Sequence, residues 1–103
     1  MTKYHAIPTV IDGIRFLSKR EASRYQELKL LERGRLITEL QLQPAFPITI
    51  NGMKVCTVKL DFVYIDKITG KRIFEDSKGM DNPMSRLKRK LVQAMYGIEV
   101  LLT

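Results

Sequence analysis

Two stretches of the chain fit the pattern acid, any residue, lysine: Glu27-Leu28-Lys29 and Asp76-Ser77-Lys78. Such matches arise by chance in a chain this rich in charge, so context has to separate them. On a helix, residues two apart point about 200° from each other, and Glu27 and Lys29 cannot share a site. On a strand they point the same way, about 7 Å apart, so Asp76 and Lys78 can face one ligand. Glu75 falls on the opposite face by the same parity.

A second acid, Asp61 in KLDFVY, interrupts an otherwise apolar run, where an unpaired charge is costly. If the strands carrying Asp61 and Asp76 form a hairpin, the two carboxylates lie side by side. Their repulsion in a half-buried setting is on the order of several kcal/mol unless a cation intervenes. A hard, oxygen-seeking ion such as Mg²⁺ or Mn²⁺ resolves it. Lys78 could then position water or stabilise charge on a phosphate. The competing reading is a surface hairpin with solvated charges, and spacing alone leaves both open.

The composition narrows the classes. The chain has 103 residues, 45% hydrophobic and 8% aromatic, which suits one ordinary globular domain. It has no apolar run of about eighteen residues, and MTKYHAIPTV lacks the apolar stretch of a signal peptide. The expectation is a cytoplasmic protein with no membrane partner. A net charge of +7 favours a polyanionic partner, nucleic acid first and an acidic membrane surface second. The single Cys56 excludes an internal disulfide and a thiolate zinc cage, and its apolar surroundings suggest a buried structural thiol. His5 cannot build a histidine metal site alone and reads as a surface residue of a loose N-terminal segment.

The elements follow from pattern. Asp12-Gly13 within VIDGIRF predicts a two-residue hairpin. Ser18 and Glu21 form a capping box opening a helix whose apolar face is Ala22, Tyr25, Leu28 and Leu31, with Gly34 as its stop. ELQLQ (39–43) alternates, Leu40 and Leu42 against Gln41 and Gln43. Pro44 and Pro47 forbid a long central strand there. Asn51-Gly52 marks a second hairpin, and Val55 to Tyr64 reads as the longest strand. DKITG turns the chain into a strand over 71–78. Asn82-Pro83 opens a second helix with Met84, Leu87, Leu91 and Met95 as its expected buried stripe, Gly97 ends it, and a final strand over 98–102 makes a parallel crossover. The predicted class is α+β, a mixed β-sheet flanked by helices in the order αβββαβ, with an N-terminal β-hairpin.

The whole chain resembles the PD-(D/E)XK nuclease superfamily, in its group of small phage proteins related to Holliday-junction resolvases. The stretches carrying the resemblance are DGIRFLSKREASRYQELKLLERG, LQLQPAF, LDFVYIDKITGKRIFEDSKG and LKRKLVQAMYGIEV. It implies a restriction-endonuclease-like core and a metal-dependent DNA endonuclease using Mg²⁺ or Mn²⁺. Asp61 and Asp76 would bind metal together with the carbonyl of Ser77, and Lys78 would be the motif lysine. Glu21 matches an acid that many members present from the first helix, and Gln43 a glutamine sometimes found near the site. Leu60 stands where the motif's name has proline, and Asp76 replaces the more frequent, longer glutamate. The resemblance further implies branched DNA as substrate, a homodimer, and residence in the cytoplasm of a bacterial host.

Several roles stay double at this level. Glu21 is explained by capping as well as by catalysis, and the face of ELQLQ bearing Gln43 could simply be wet. The run Arg86-Leu87-Lys88-Arg89-Lys90 reads as a solvated helix surface, or as a phosphate-contacting one in which Arg86, Arg89 and Lys19 touch DNA. The rival functions are a nucleic-acid-binding module that has lost its chemistry, and a structural component whose charge serves solubility.

Overall fold

In the computed structural model, which describes residues 8–78 and 80–103, the turn signals act where the sequence put them. Asp12 (φ 53°) and Gly13 (φ 75°) both take left-handed backbone, the geometry of a tight primed turn, and join β1 (Thr9–Ile11) to β2 (Ile14–Phe16). Ser18 caps α1 (Lys19–Arg33) by accepting a hydrogen bond from the Glu21 backbone N–H at 3.2 Å. Gly34 does not take the left-handed stop position. Its φ is −76°, and the next residue, Arg35 (φ 62°), makes the turn, with the Leu36 N–H returning to the Leu31 carbonyl. His5 lies outside the described residues.

The expected strand from Val55 to Tyr64 is two strands. Among the described residues β5 (Met53–Lys59) pairs only with β4 (Ala45–Ile50), as an antiparallel ribbon around Asn51-Gly52, whereas β6 (Phe62–Asp66) belongs to the main sheet. The chain changes partner at Leu60 and Asp61. The Leu60 N–H donates to the Pro44 carbonyl, and the Asp61 N–H donates to the Glu75 carbonyl. Pro47 is tolerated in β4 because a two-stranded ribbon leaves each strand one free edge.

The main sheet has the order β3–β6–β7–β8, with β3 (Ile37–Leu42), β7 (Arg72–Asp76) and β8 (Val100–Leu102). β6 is antiparallel to both β3 and β7, and β8 runs parallel to β7 after the crossover through α2 (Pro83–Tyr96). The predicted α+β class with a mixed sheet and two helices is what the chain forms. Glu39 takes φ 55° within β3, where the register with β6 shifts, yet Leu40 and Leu42 still point inward and Gln41 and Gln43 outward. β7 is shorter than the predicted 71–78. Its ladder continues for two residues, the Thr103 N–H donating to the Asp76 carbonyl and the Lys78 N–H to the Thr103 carbonyl.

Strand parity divides the interior. Ile73 and Phe62 join Tyr25, Leu28 and Ile37 in a cluster beneath α1 and the N-terminal hairpin. Phe74 and Val100 join Phe46, Ile48, Val58 and Val92 in a second cluster beneath α2 and the ribbon. Cys56 is half-buried at its margin. In α2 the predicted stripe holds only at Leu91, which packs against this cluster: Met84, Leu87 and Met95 are 59%, 51% and 46% exposed, and Val92 is the buried residue. The helix rests on the narrow ribbon through Val92, in the cluster with Phe46, Ile48 and Val58, and Tyr96, whose ring meets Phe46 edge-on and whose hydroxyl donates to the Pro47 carbonyl at 2.6 Å.

Parity also buries an acid. Glu75 has no exposed surface and sits beneath α1, where it accepts two hydrogen bonds from the Arg24 guanidinium at 2.8 and 2.7 Å and a third from the Tyr64 hydroxyl. Removing one partner of a buried pair leaves an uncompensated charge, so Arg24→Ala should lower the unfolding free energy by about 3–5 kcal/mol. Glu27, whose exposed carboxylate stands 3.6 Å from the same arginine, should tolerate alanine with less than about 0.5 kcal/mol of loss. Denaturant titration of both variants measures the contrast.

Candidate active site

Asp61 stands at the junction between ribbon and sheet, and Asp76 ends the neighbouring strand. The Asp61 backbone is fixed from both sides: its N–H reaches the Glu75 carbonyl, and its carbonyl accepts from the Gln43 N–H at 2.9 Å. The Asp61 carboxylate accepts the Ser77 backbone N–H at 2.6 Å, which turns it toward the end of β7. There it faces Asp76, only 5% exposed, close enough for each carboxyl to shift the other's titration. Lys78 follows the parity expected of it, its Nζ 3.7 Å from Asp76 Oδ2.

Two carboxyls this close and this sheltered resist ionising together. Burial first, and the neighbouring Asp61 after it, lift the Asp76 carboxyl to about 6 against the pull of Lys78 and Arg89. Asp61 is also raised, by burial above all and by the nearby Glu21 carboxylate, while the Ser77 N–H opposes the rise. Glu21 is 7% exposed. Among the described residues its carboxylate makes no ion pair or hydrogen bond, so the reciprocal half of the capping box is not formed. The fold instead brings it within electrostatic reach of Asp61.

The remaining predicted residues divide. Gln43 takes left-handed backbone (φ 52°) and touches the site only through its N–H to Asp61, its side chain being exposed. Lys19 opens α1 and lines a separate hollow with Arg20, Ser23, Ser77 and Thr103, on the other side of the strand end. Arg86 is exposed, 3.9 Å from Asp81. Arg89 is engaged: it grips Asp81 through two hydrogen bonds of 2.8 and 2.5 Å and lies 4.0 Å from Asp76. Its guanidinium holds the Asp81 carboxyl below the usual carboxylate range. The Ser77 hydroxyl is buried and has no hydrogen-bond partner among the described residues.

Arg24 and Tyr64 went unnoticed in the sequence, although a buried Glu75 facing α1 demanded a cation from that helix. Four residues lining the groove in front of Asp76 and Lys78 were missed as well: Thr57 and Lys59 on β5, and Ser85 and Lys88 on α2. The groove has a volume of about 310 Å³.

The donors around Asp61 and Asp76 are oxygens, the set a hard divalent cation takes, and Mg²⁺ commonly uses only one or two carboxylates with waters completing its shell. Among the described residues no three His, Cys, Asp or Glu side chains gather as a metal cluster, so the paired aspartates would be the protein's share. The residues present fit such an ion, whose charge would relieve the pair's mutual repulsion.

The molecule is thus a small α+β protein with a paired-carboxylate and lysine centre at the end of a mixed sheet. Residues 1–103 match the model of the family described as "Protein of unknown function (DUF1064)", and the chain belongs to that family. No solved structure matches it. Among the described residues no helix is long and apolar enough to cross a membrane.

The paired acids make a pH prediction. The folded Asp76 keeps its proton to about 6, whereas the unfolded chain releases it near 3.8, so the native state loses stability as pH rises through that window. Asp76→Asn removes the cost and should stabilise the metal-free protein by about 1–3 kcal/mol above pH 6, the gain vanishing below about pH 4. Denaturant midpoints measured across pH with a chelator present test the sign.

Proposed function

We propose that the protein is a metal-dependent DNA endonuclease, a member of the PD-(D/E)XK superfamily that its sequence resembles. The observation that carries this reading is the convergence of Asp61, Asp76 and Lys78: Asp61 held by the Ser77 N–H at the end of β7 beside Asp76, the ammonium 3.7 Å from Asp76. The order α1, β3, β6, β7, α2, β8, with the acids at the head of β6 and the end of β7, agrees with the core that the resemblance implies. The net charge of +7 suits a polyanionic substrate.

In this mechanism Asp61 and Asp76 would hold the divalent ion, and the Ser77 N–H fixes the Asp61 carboxylate toward the end of β7. A bound Mg²⁺ or Mn²⁺ supplies Lewis-acid activation of water and neutralises charge on the phosphate. Lys78 sits where its ammonium can orient the attacking water or stabilise negative charge on the phosphate oxygens. Glu21, within electrostatic reach of Asp61 and without an ion pair or hydrogen bond among the described residues, would accept a proton from water. The substrate we favour is branched DNA cut by a two-fold dimer, which offers one site to each of two strands; the resemblance alone supports that refinement.

Purified protein incubated with Mg²⁺ or Mn²⁺ and a panel of linear, nicked and four-way DNA should cut at least one of them. Asp61→Ala and Asp76→Ala should reduce cleavage to background, and Lys78→Ala should slow it by about a hundred- to a thousand-fold. Glu21→Gln preserves size and polarity but ligates metal poorly, so retention of full rate would remove Glu21 from the machinery. Cleavage that survives both aspartate substitutions would refute the reading.

A further inference from the structure

The ribbon β4–β5 does not belong to the main sheet, and what it does for the site follows from its two faces. Phe46, Ile48 and Val58 turn inward against Val92 of α2. By strand parity Thr57 and Lys59 turn the other way, and both are exposed. On α2, Ser85 and Lys88 are one turn apart and so share a side of the helix. These four residues line one groove, whose other lining residues include Asp76 and Lys78.

The charges in this groove are of two kinds. Arg89 is committed to Asp81, and Lys78 to Asp76. Lys59 and Lys88 have no carboxylate or hydrogen-bond partner among the described residues. Two free ammonium groups with two hydroxyls beside them, in an open polar groove, are the donor set for an anionic oxygen cluster of the size of a phosphate diester. Asp76, which lines the same groove, disfavours a freely chosen anion settling beside it without a cation. A polymer whose neighbouring phosphates are fixed by its own backbone satisfies both halves at once.

We infer that Lys59 and Thr57 of the ribbon, with Lys88 and Ser85 of α2, form a subsite for the DNA phosphate adjoining the one at Asp61 and Asp76, so that the ribbon serves as a substrate arm. This rests on the nuclease reading for which phosphate is cut, and it replaces Arg86 and Arg89 with Lys88 as the cation of the basic run that meets DNA. The contact is to backbone and carries no base sequence.

The test is binding without divalent ions, which separates it from catalysis. Fluorescence anisotropy with a labelled duplex DNA over a salt series should give a Lys59→Ala/Lys88→Ala double variant with a salt slope shallower by about two than wild type. Its affinity at low salt should be at least about tenfold weaker. Lys59→Arg/Lys88→Arg should retain the slope, and Lys67→Ala/Lys71→Ala, at the turn between β6 and β7, should leave it unchanged. Circular-dichroism melts matched to wild type secure the comparison. A slope unaffected in the alanine pair, an equal loss in the turn pair, or no DNA binding by wild type would each overturn the subsite. Ribbon-dependent binding with no cleavage under Mg²⁺ or Mn²⁺ would uphold the subsite and count against the nuclease reading alone.

Discussion

A carboxylate with no exposed surface must be neutralised where it stands, and Glu75 is such a group. Its partners come from two other elements, Arg24 from α1 and Tyr64 from β6. The bidentate geometry fixes α1 in both distance and rotation over the sheet. That rotation decides where Glu21 stands, one turn earlier on the same helix. Without the pair, the helix would still have an apolar face to bury, but nothing would specify which turn lies above the end of β7. The same contact pins β7 beside β6, and hence Asp76 beside Asp61.

The candidate site thus depends on two adjacent acids that strand geometry sends in opposite directions. Glu75 goes inward and is satisfied. Asp76 goes toward α2 and is left with a competing carboxyl and weaker compensation from Lys78 at 3.7 Å and Arg89 at 4.0 Å. One acid holds the fold together, and the other is kept protonated to about 6 by burial and its neighbour. Carboxyls shifted in this way, in a groove and only partly compensated, are distinct from a satisfied structural ion pair such as Glu75 with Arg24.

The ribbon β4–β5 gives the groove its second wall. Its existence depends on the change of partner at Leu60 and Asp61, where the backbone leaves β4 and joins β7. The junction does two things: it sends Leu60 into one apolar cluster and Phe62 into the other, and it turns the Asp61 carboxylate to face the Ser77 N–H. Because α2 meets this narrow ribbon and not a broad sheet, Met84, Leu87 and Met95 remain uncovered.

Local patterns in the sequence determined the pieces. Asp12-Gly13, Asn51-Gly52 and Asn82-Pro83 each encode their geometry within a few residues, and period-two parity alone put Asp76 and Lys78 on one side and Glu75 on the other. The tertiary structure decided the rest, because it depends on neighbours distant in the chain. A continuous apolar run does not say at which residue a strand exchanges one partner for another, so the break at Asp61 was not legible. Helical periodicity does not say how wide the surface beneath a helix is, so the buried side of α2 was misjudged and Lys88 was overlooked beside Arg86 and Arg89. Nor does the spacing between Arg24 and Glu75, separated by 51 positions, announce the ion pair that only the packing of α1 on the sheet brings together.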